Sequence, residues 1–475
     1  MSNLLTSLAT AGHALDVYQQ ALDVVQNNIT NSTTPGYATQ SLNLASQPFD
    51  VASGLAGGVA AQGLDSARDE YADEEVRRQL QFLGKYETQT SGVTSIENLF
   101  DVTGNSGIPA DLNNLYSSFY AWAASPDSTS ARQMVIANAG KLASDVHSLA
   151  GSLAKVSGSV ESQIGSTVTQ INQLASTIQE YNVQRQRQGS SDPGSDANMH
   201  ASLEQLSELV DISVVNQPDG TVTVLTNGGS PLVVGTSQYS ISSGQAVPSG
   251  AANLQSPPSS QILDSQGNDI TSQIQGGKLG GLLDVHNRVL ASLAGDGQQA
   301  GSLNQFAKAF ADTVNGILQS GTVSTDLGAA QGAPLFVYDH SDATAAAGSF
   351  AVNPGLTPGQ LAPVDALGNA NGNANQLASL AGSTSAGGVN GVTFGDFFSG
   401  IASFVGMESS TASTNQTSQE SVVSQTKSLR DQASGVSLDQ QAVLLLQFQK
   451  AYEATARLLS TLNSITETTI NLITE

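Results

Sequence analysis

The stretch that decides the fold is MSNLLTSLATAGHALDVYQQALDVVQNNITNSTTPGY, residues 1–37. Side chains in two rows repeat every seven residues, and the rows interleave at spacings of four and three: Leu4, Ala11, Tyr18 and Val25 in one, Leu8, Leu15, Leu22 and Ile29 in the other. This is the a/d pattern of a helix that packs against other helices. Pro35-Gly36 then ends the run. The pattern therefore predicts an N-terminal helix that needs a partner.

A second heptad pattern lies at the other end of the chain. Ser437 is a candidate N-cap for a helix that starts at Leu438. Apolar or small residues then repeat every seven positions, among them Leu445, Tyr452 and Leu459, and Phe448, Thr455 and Leu462. This face is broader than a two-stranded seam requires. It is typical of an ordinary intramolecular helix pair, or of a terminal coiled coil that also packs against copies of itself in a polymer.

Between these ends the sequence predicts a mainly α protein with inserted β modules. A long helical pattern covers about 128–188, whereas Ile212–Val215 and Val222–Leu225 flank a turn and predict a hairpin. We expect the N- and C-terminal helices to pair as a coiled-coil core, with a long-helix bundle body and a β-rich outer domain. The predicted domains are the terminal coiled-coil core (1–45 and 435–475), the helical bundle body (46–188, 275–320 and 373–434), the β-rich outer domain (189–274), and a Gly/Ala-rich insert with short strands (321–372).

The composition argues against several classes of partner. A net charge of −24 leaves no basic surface to neutralise phosphates or anionic lipid. The chain has no cysteine, which excludes disulfides, a thiol nucleophile and cysteine-ligated metals. It has no apolar run near the roughly 18 residues of a membrane span. Its first cation is Arg68, so it has no basic start of a cleaved secretory signal. We expect no nucleic-acid and no membrane partner.

The residues that carry chemistry form no convincing catalytic or ligand constellation. Asp196 and His200 are four residues apart, but a third metal ligand is missing. The segment Asp264–Asp269 resembles a calcium loop without its terminal Glu, and we interpret it as a plain turn. Gly276–Gly281 lacks the Gly-Lys-Ser/Thr ending of a phosphate loop. We therefore predict that the protein is not an enzyme and that it has no cofactor, no metal site and no catalytic residue.

The turn after the N-terminal helix has a physical signature of its own. Asn28 and Asn31 can hydrogen-bond free backbone groups at the helix end. Pro35 and Gly36 suit the central positions of a type II turn, where glycine supplies the positive φ. Tyr37 offers a flat apolar anchor with a polar tip. The turn is either a simple helix stop or part of a subunit contact between the terminal core and the next domain.

These same residues resemble a known family. The segment Gln26–Tyr37 (QNNITNSTTPGY) is similar to the N-terminal signature of flagellar rod, hook and hook-associated proteins. The segments Ser434–Asp439 (SGVSLD) and Gln449–Tyr452 (QKAY) resemble the paired C-terminal signature. Two interior stretches, Leu206–Val210 (LSELV) and Gly276–Asp284 (GGKLGGLLD), narrow the resemblance to the hook-associated members at the hook–filament junction.

The resemblance implies a structural subunit of the bacterial flagellum that forms the junction zone between hook and filament. It implies polymerisation through the terminal helices. The implied partners are copies of the chain itself in a helical lattice, the hook protein, the next hook-associated junction protein, and a cytoplasmic export chaperone on the C-terminal helix. The implied location is the flagellum, reached by type III export after a transient cytoplasmic stage. The implied assembly residues are Leu8, Leu15, Tyr18, Leu22, Val25, Asn28, Ile29, Asn31, Pro35, Gly36, Tyr37, Leu438, Leu445, Phe448, Tyr452, Leu459 and Leu462.

Two alternatives stay open at this point. A flagellar hook or rod subunit would share the terminal signatures, but the long helical stretch 68–188 argues against it. A secreted hydrolase or adhesin with helical terminal stalks would need a pocket with converging polar groups, and the sequence gives no sign of one.

Overall fold

The computed structural model describes residues 2–50, 55–100, 106–189, 192–246, 258–384 and 388–474. The helices are α1 (Ser2–Thr30), α2 (Glu70–Glu97), α3 (Gly107–Ala124), α4 (Thr129–Gln188), α5 (Pro193–Leu209), α6 (Gly277–Asp284), α7 (Ala291–Ala294), α8 (Ser302–Gln319), α9 (Gly372–Ser379), α10 (Phe394–Ser434) and α11 (Leu438–Thr474). A π-helical segment, Val285–Leu290, joins α6 to α7. The predicted mainly α fold class is confirmed.

The strands form small antiparallel sheets between the helices. The strands are β1 (Gln40–Ser46), β2 (Phe49–Asp50), β3 (Leu55–Ala56), β4 (Val59–Ser66), β5 (Ile212–Asn216), β6 (Val222–Thr226), β7 (Pro231–Val234), β8 (Ser237–Gln238), β9 (Ser242–Gln245), β10 (Ser260–Leu263), β11 (Phe336–Val337) and β12 (Ala351–Val352). One sheet has the order β5-β6-β7-β8, and the pairs β1-β4, β2-β3, β9-β10 and β11-β12 complete the set. The hairpin predicted at 212–225 is therefore confirmed as β5 and β6.

Local sequence signals set the limits of the longest helix. Ser128 caps α4 at its start, where its hydroxyl oxygen accepts a hydrogen bond from the Ala131 amide at 3.2 Å. The helix ends at Gly189, whose φ of +69° suits a glycine after the last turn. Arg185 and Arg187 in that last turn oppose the negative end of the helix dipole. At 1.5 Å per residue, α4 is about 90 Å long, so it can serve as the axis of the helical body.

The Gly/Ala-rich insert 321–372 contributes to the main apolar core. Leu335 and Phe336 are buried. The Phe336 ring stacks on Phe350 with centroids 4.8 Å apart, and it contacts Phe310 of α8 at 5.6 Å. The insert is therefore packed onto the body, although its only paired strands are the short β11 and β12.

Two packing contacts cross the predicted domain boundaries. The hairpin of β1 and β4 crosses the predicted boundary at 45 and contacts α1, because its register pairs Gln40 with Ser66. Helix α5 lies inside the predicted β-rich domain, but it contacts α2 and α4. Its buried Leu203 and Leu206 explain this, since they join the main apolar core. We use "body" for residues 70–434.

No helix in the described part of the chain is long and apolar enough to cross a membrane.

Candidate functional site: the terminal helix pair and its joint to the body

The two ends of the chain pair as antiparallel helices, α1 and α11, which we call the terminal helix pair. The end of α1 lies beside the start of α11, where Asn28 contacts Gln441. The most deeply buried side chains on α1 are small or polar: Ala11, Val17, Ala21, Val25 and Asn28. The predicted pairing of the chain termini is confirmed.

The structure places the predicted assembly residues of α1 mostly beside the contact. Val25 is buried, whereas the larger side chains are only partly buried: Leu8, Leu15, Tyr18, Leu22 and Ile29. The most buried row includes Ala21 and Asn28, one position before Leu22 and Ile29. The predicted leucine row is therefore less buried than this neighbouring row.

Helix α11 keeps an uncovered apolar face. Leu445, Phe448, Leu459 and Leu462 are partly buried. Leu438 is 55% exposed and Tyr452 is 37% exposed. More large apolar side chains of α11 are exposed as well: Val443, Leu446, Leu458, Ile465 and Ile470. Exposed large apolar side chains that recur along one helix are typical of an interaction surface. Within one chain, these side chains of α11 stay exposed to solvent.

Asn28 is fully buried and uses all of its hydrogen-bonding capacity. Its Nδ2 donates to the Gln40 carbonyl oxygen at 2.7 Å and to Oε1 of Gln441 at 3.0 Å. Its Oδ1 accepts from the Gln40 amide at 2.9 Å and from the Tyr37 hydroxyl at 2.9 Å. An asparagine has two N–H donors and two lone pairs on its oxygen, so each has a partner. The residue ties α1 to the turn, to β1 and to α11.

The segment after α1 closes as the sequence predicts. Asn31 Nδ2 donates to the Asn27 carbonyl oxygen at 3.0 Å, and the same oxygen accepts from the Asn31 amide at 3.0 Å, so the helix end is held by two hydrogen bonds. The Tyr37 amide donates to the Thr34 carbonyl oxygen at 3.2 Å. With Gly36 at φ +75°, this is the hydrogen bond and geometry expected for a turn centred on Pro35 and Gly36.

The turn rests on the backbone of α5. A Cβ atom at position 36 would overlap the Ala197 carbonyl oxygen and lie 2.8 Å from the Ala201 nitrogen. Gly36 is therefore required by its positive φ and also by this close approach. Burial raises the pKa of the neighbouring Tyr37 phenol above its usual value.

The chain passes between the terminal helix pair and the body twice, at an N-terminal crossing (67–69) and a C-terminal crossing (434–437). Together with the turn residues 36–40, we call these segments the joint. The Thr39 amide donates to the Ser434 carbonyl oxygen at 2.9 Å, and the Thr39 hydroxyl donates to the Gly435 carbonyl oxygen at 2.8 Å. The Ser434 hydroxyl accepts from the Asp69 amide at 2.9 Å. The two crossings therefore support each other through hydrogen bonds.

A group of buried and half-buried charges lies under the joint, and we call Arg68, Asp73, Asp196, Glu204 and Arg430 the ion network. Arg68 Nη1 lies 2.7 Å from Asp73 Oδ2, and its Nη2 lies 3.5 Å from Asp196 Oδ2. Arg430 Nη1 pairs with Glu204. Sequence reasoning missed this network because its members lie on α2, α5, α10 and the segment before α2, and each is an ordinary charged residue in its own segment.

His200 of α5 lies within this group and is 5% exposed. Its Nδ1 is 3.5 Å from Asp73 Oδ2. Burial lowers the pKa of the imidazole to about 2, and three guanidinium groups act in the same direction: Arg68, Arg77 and Arg430. The ring is therefore neutral, and together with Asp196 it belongs to a structural cluster.

Other polar residues that could in principle bind a ligand or catalyse a reaction have partners within the protein. Asp264 Oδ1 accepts from the amides of Gln266 and Asn268 at 2.8 and 2.9 Å, so its turn is closed on itself. Among the residues that the structure describes, no group of three or more His, Cys, Asp or Glu is placed to hold a metal ion. Ser157 Oγ lies 3.1 Å from Nε2 of His286, and both side chains are buried.

The architecture is a terminal helix pair with exposed apolar side chains, joined to a long helical body, as in a structural protein. A family model described as the flagellar hook-associated protein FlgK helical domain matches residues 93–336, more than half of the chain. A second model, the flagellar basal body rod FlgEFG protein C-terminal, matches residues 430–472. The chain belongs to the FlgK family of flagellar hook-associated proteins, and the predicted resemblance is confirmed.

Full-length relatives and a solved structure agree with this assignment. Flagellar hook-associated protein 1 of Bacillus subtilis (strain 168) is 25% identical over 99% of both chains. That of Salmonella typhimurium is 24% identical over 99% of this chain and 100% of the relative. The flagellar hook junction protein FlgK from Burkholderia pseudomallei has a TM-score of 0.62 at 16% identity, over 75% of this chain and 99% of that chain. The last comparison shows a shared fold.

Proposed function

We propose that this chain is a structural subunit of the bacterial flagellum that forms the junction between hook and filament and polymerises through the terminal helix pair. Membership of the FlgK family supports the flagellar role. The observation that carries the polymerisation step is the uncovered apolar face of α11, where Leu446 and Leu458 are 59% and 53% exposed. Burying one such side chain contributes about 1.5–3 kcal/mol.

The exposed apolar side chains of the terminal helix pair support contacts between neighbouring subunits. Contacts between the uncovered face of one subunit and a different surface of the next are heterologous, and such contacts repeat without closing, as a helical lattice requires. The predicted assembly residues on the flanks of the pair, such as Leu15 and Leu22, complete this surface beside α11. Asn28 holds the two helices in one register, as single buried polar residues do in coiled coils.

The proposed partners are further copies of the chain, the hook protein, and the next hook-associated junction protein. A cytoplasmic export chaperone covers α11 before assembly, because a free subunit would otherwise expose its apolar face. The proposed location is the hook–filament junction of the flagellum, reached by type III export. The role is structural and not enzymatic, which is supported by the use of His200 and His286 in buried hydrogen-bonded or charged clusters.

Complementation of a strain that lacks this chain tests the polymerisation step. Leu446→Asp places a charge on the uncovered face, and Gln449→Asp places the same charge on an exposed polar residue that lies on the side of α11 opposite Leu458 and Ile465. We expect isolated flagella to lack the first variant and to contain the second. Equal incorporation of both would contradict polymerisation through this face. Incorporation along the hook, rather than at its tip, would favour a hook subunit.

A further inference from the structure

The contact between the terminal helix pair and the body is polar. Two apolar clusters hold the body together: a large one that extends along the chain from Val93 to Val405, and a small one of Val76, Leu80 and Val423. Within the residues that the structure describes, neither cluster includes a side chain of α1 or α11. The angle between the pair and the body is therefore fixed by hydrogen bonds and ion pairs.

Arg68 clamps the turn to the body at the N-terminal crossing. Its Nη2 donates to the Gly36 carbonyl oxygen at 2.6 Å, and its Nη1 donates to Asp73 Oδ2 at 2.7 Å. The side chains of Arg68 and Asp73 are 9% and 4% exposed. Removal of one partner of such a buried pair leaves an uncompensated charge, which costs far more than the loss of a surface pair.

Arg430 lies within the body, close to the start of the C-terminal crossing. It lies in the last turns of α10, pairs with Glu204 of α5, and is 3.9 Å from Asp73 Oδ1. Four residues later, Ser434 holds the backbone of Thr39 and Asp69. Asp73 therefore lies between the two arginines, and both crossings are attached to one group of charges.

We propose that the ion network is a latch that fixes the angle of the terminal helix pair on the body, and that salt opens it. Opening separates the Arg68 guanidinium from the Asp73 and Asp196 carboxylates and hydrates these groups, and dissolved ions lower the free energy of the separated state. Little apolar area is exposed when the latch opens, so the body stays folded. The turn then leaves its seat on α5, and the helix pair swings about the joint.

Hydrogen exchange of the full-length chain tests the latch, with Arg68→Gln and Arg430→Gln as variants. Arg78→Gln is the matched control, because Arg78 pairs with Glu75 on the surface of α2 and its side chain is 62% exposed. We expect the amides of Thr39, Ala67 and Asp69 to exchange about tenfold faster or more in the first two variants, as the loss of a hydrogen bond to a charged group predicts. Exchange within α4 stays unchanged.

The wild-type chain provides a second, mutation-free readout. Raising the salt concentration from about 0.05 M to about 1 M shortens the Debye length several-fold and is expected to speed exchange at the joint but not in α4. Should Arg68→Gln fail to fold, Arg68→Lys keeps the charge without the planar fork and gives the same comparison. The proposal would be overturned if the exchange rates of the joint amides did not change with salt, or if they were equal in Arg68→Gln and Arg78→Gln.

Discussion

The side-chain amide of Asn28 donates a hydrogen bond of 3.0 Å to the side-chain oxygen of Gln441, which joins residues 413 positions apart. The two side chains are 0% and 2% exposed. A hydrogen bond between two such buried side chains can form in one register of the helix pair only. The Asn28–Gln441 bond therefore predicts a single register for the chain ends.

Asn28→Ala is expected to weaken the terminal helix pair more than Gln441→Ala does. The first change leaves the Gln40 amide and carbonyl and the Tyr37 hydroxyl without their buried partner, at about 1–3 kcal/mol for each group. A double-mutant cycle read by hydrogen exchange of α1 and α11 should give a coupling free energy of about 1 kcal/mol between Asn28 and Gln441. Asn27→Ala, at an exposed neighbour, is the control. A coupling of zero would show that the bond does not set the register.

Gly36→Ala is expected to prevent assembly without affecting the body. The new Cβ atom overlaps the Ala197 carbonyl oxygen, and a φ of +75° costs an alanine about 1–2 kcal/mol more. Gly140→Ala is the matched control, because a Cβ there has nothing within 4 Å and should stabilise α4 by about 0.5–1 kcal/mol. Thermal unfolding and incorporation into flagella measure the two effects. If Gly36→Ala were incorporated normally, the close contact between the turn and α5 would not be needed for assembly.

Leu15→Asp is expected to block assembly far more than it destabilises the body. The leucine is partly buried on the flank of the terminal helix pair, away from both apolar clusters of the body. His13→Asp places the same charge at an exposed site two residues away. The melting transition of the body should be the same in both variants, whereas incorporation is lost only in the first. An equal loss of the body's transition would contradict a separate terminal unit.

His200 predicts a specific pH dependence of the stability of the body. The folded imidazole has a pKa of about 2, compared with about 6.5 in an unfolded chain. Below about pH 6.5 the unfolded chain binds a proton that the folded chain does not, so stability falls as the pH falls. Between about pH 6 and pH 4 the free energy of unfolding should decrease more steeply in the wild type than in His200→Gln, by up to about 1.4 kcal/mol per pH unit.

Chemical denaturation at a series of pH values measures these slopes. His147→Gln is the matched control, because His147 is an exposed imidazole on α4, and it should keep the wild-type slope. Parallel curves for the wild type and His200→Gln would show that the buried ring does not contribute to acid sensitivity.

The sequence predicted the pairing of the chain ends because heptad spacing is a local signal that can be read from each end of the chain. It did not predict that Ala21 and Asn28 are more buried than the leucine row, since a hydrophobic pattern ranks leucine above both. The ion network could not be predicted at all. Arg68 and Asp196 are 128 positions apart, and only the fold brings them together.

Electron microscopy of flagella from a strain that lacks this chain tests the central claim most directly. A junction subunit is needed for the filament to attach, so we predict hooks without filaments, with filaments restored by the full-length chain and not by residues 38–435 alone. Intact filaments on the hooks of the deletion strain would contradict the junction role.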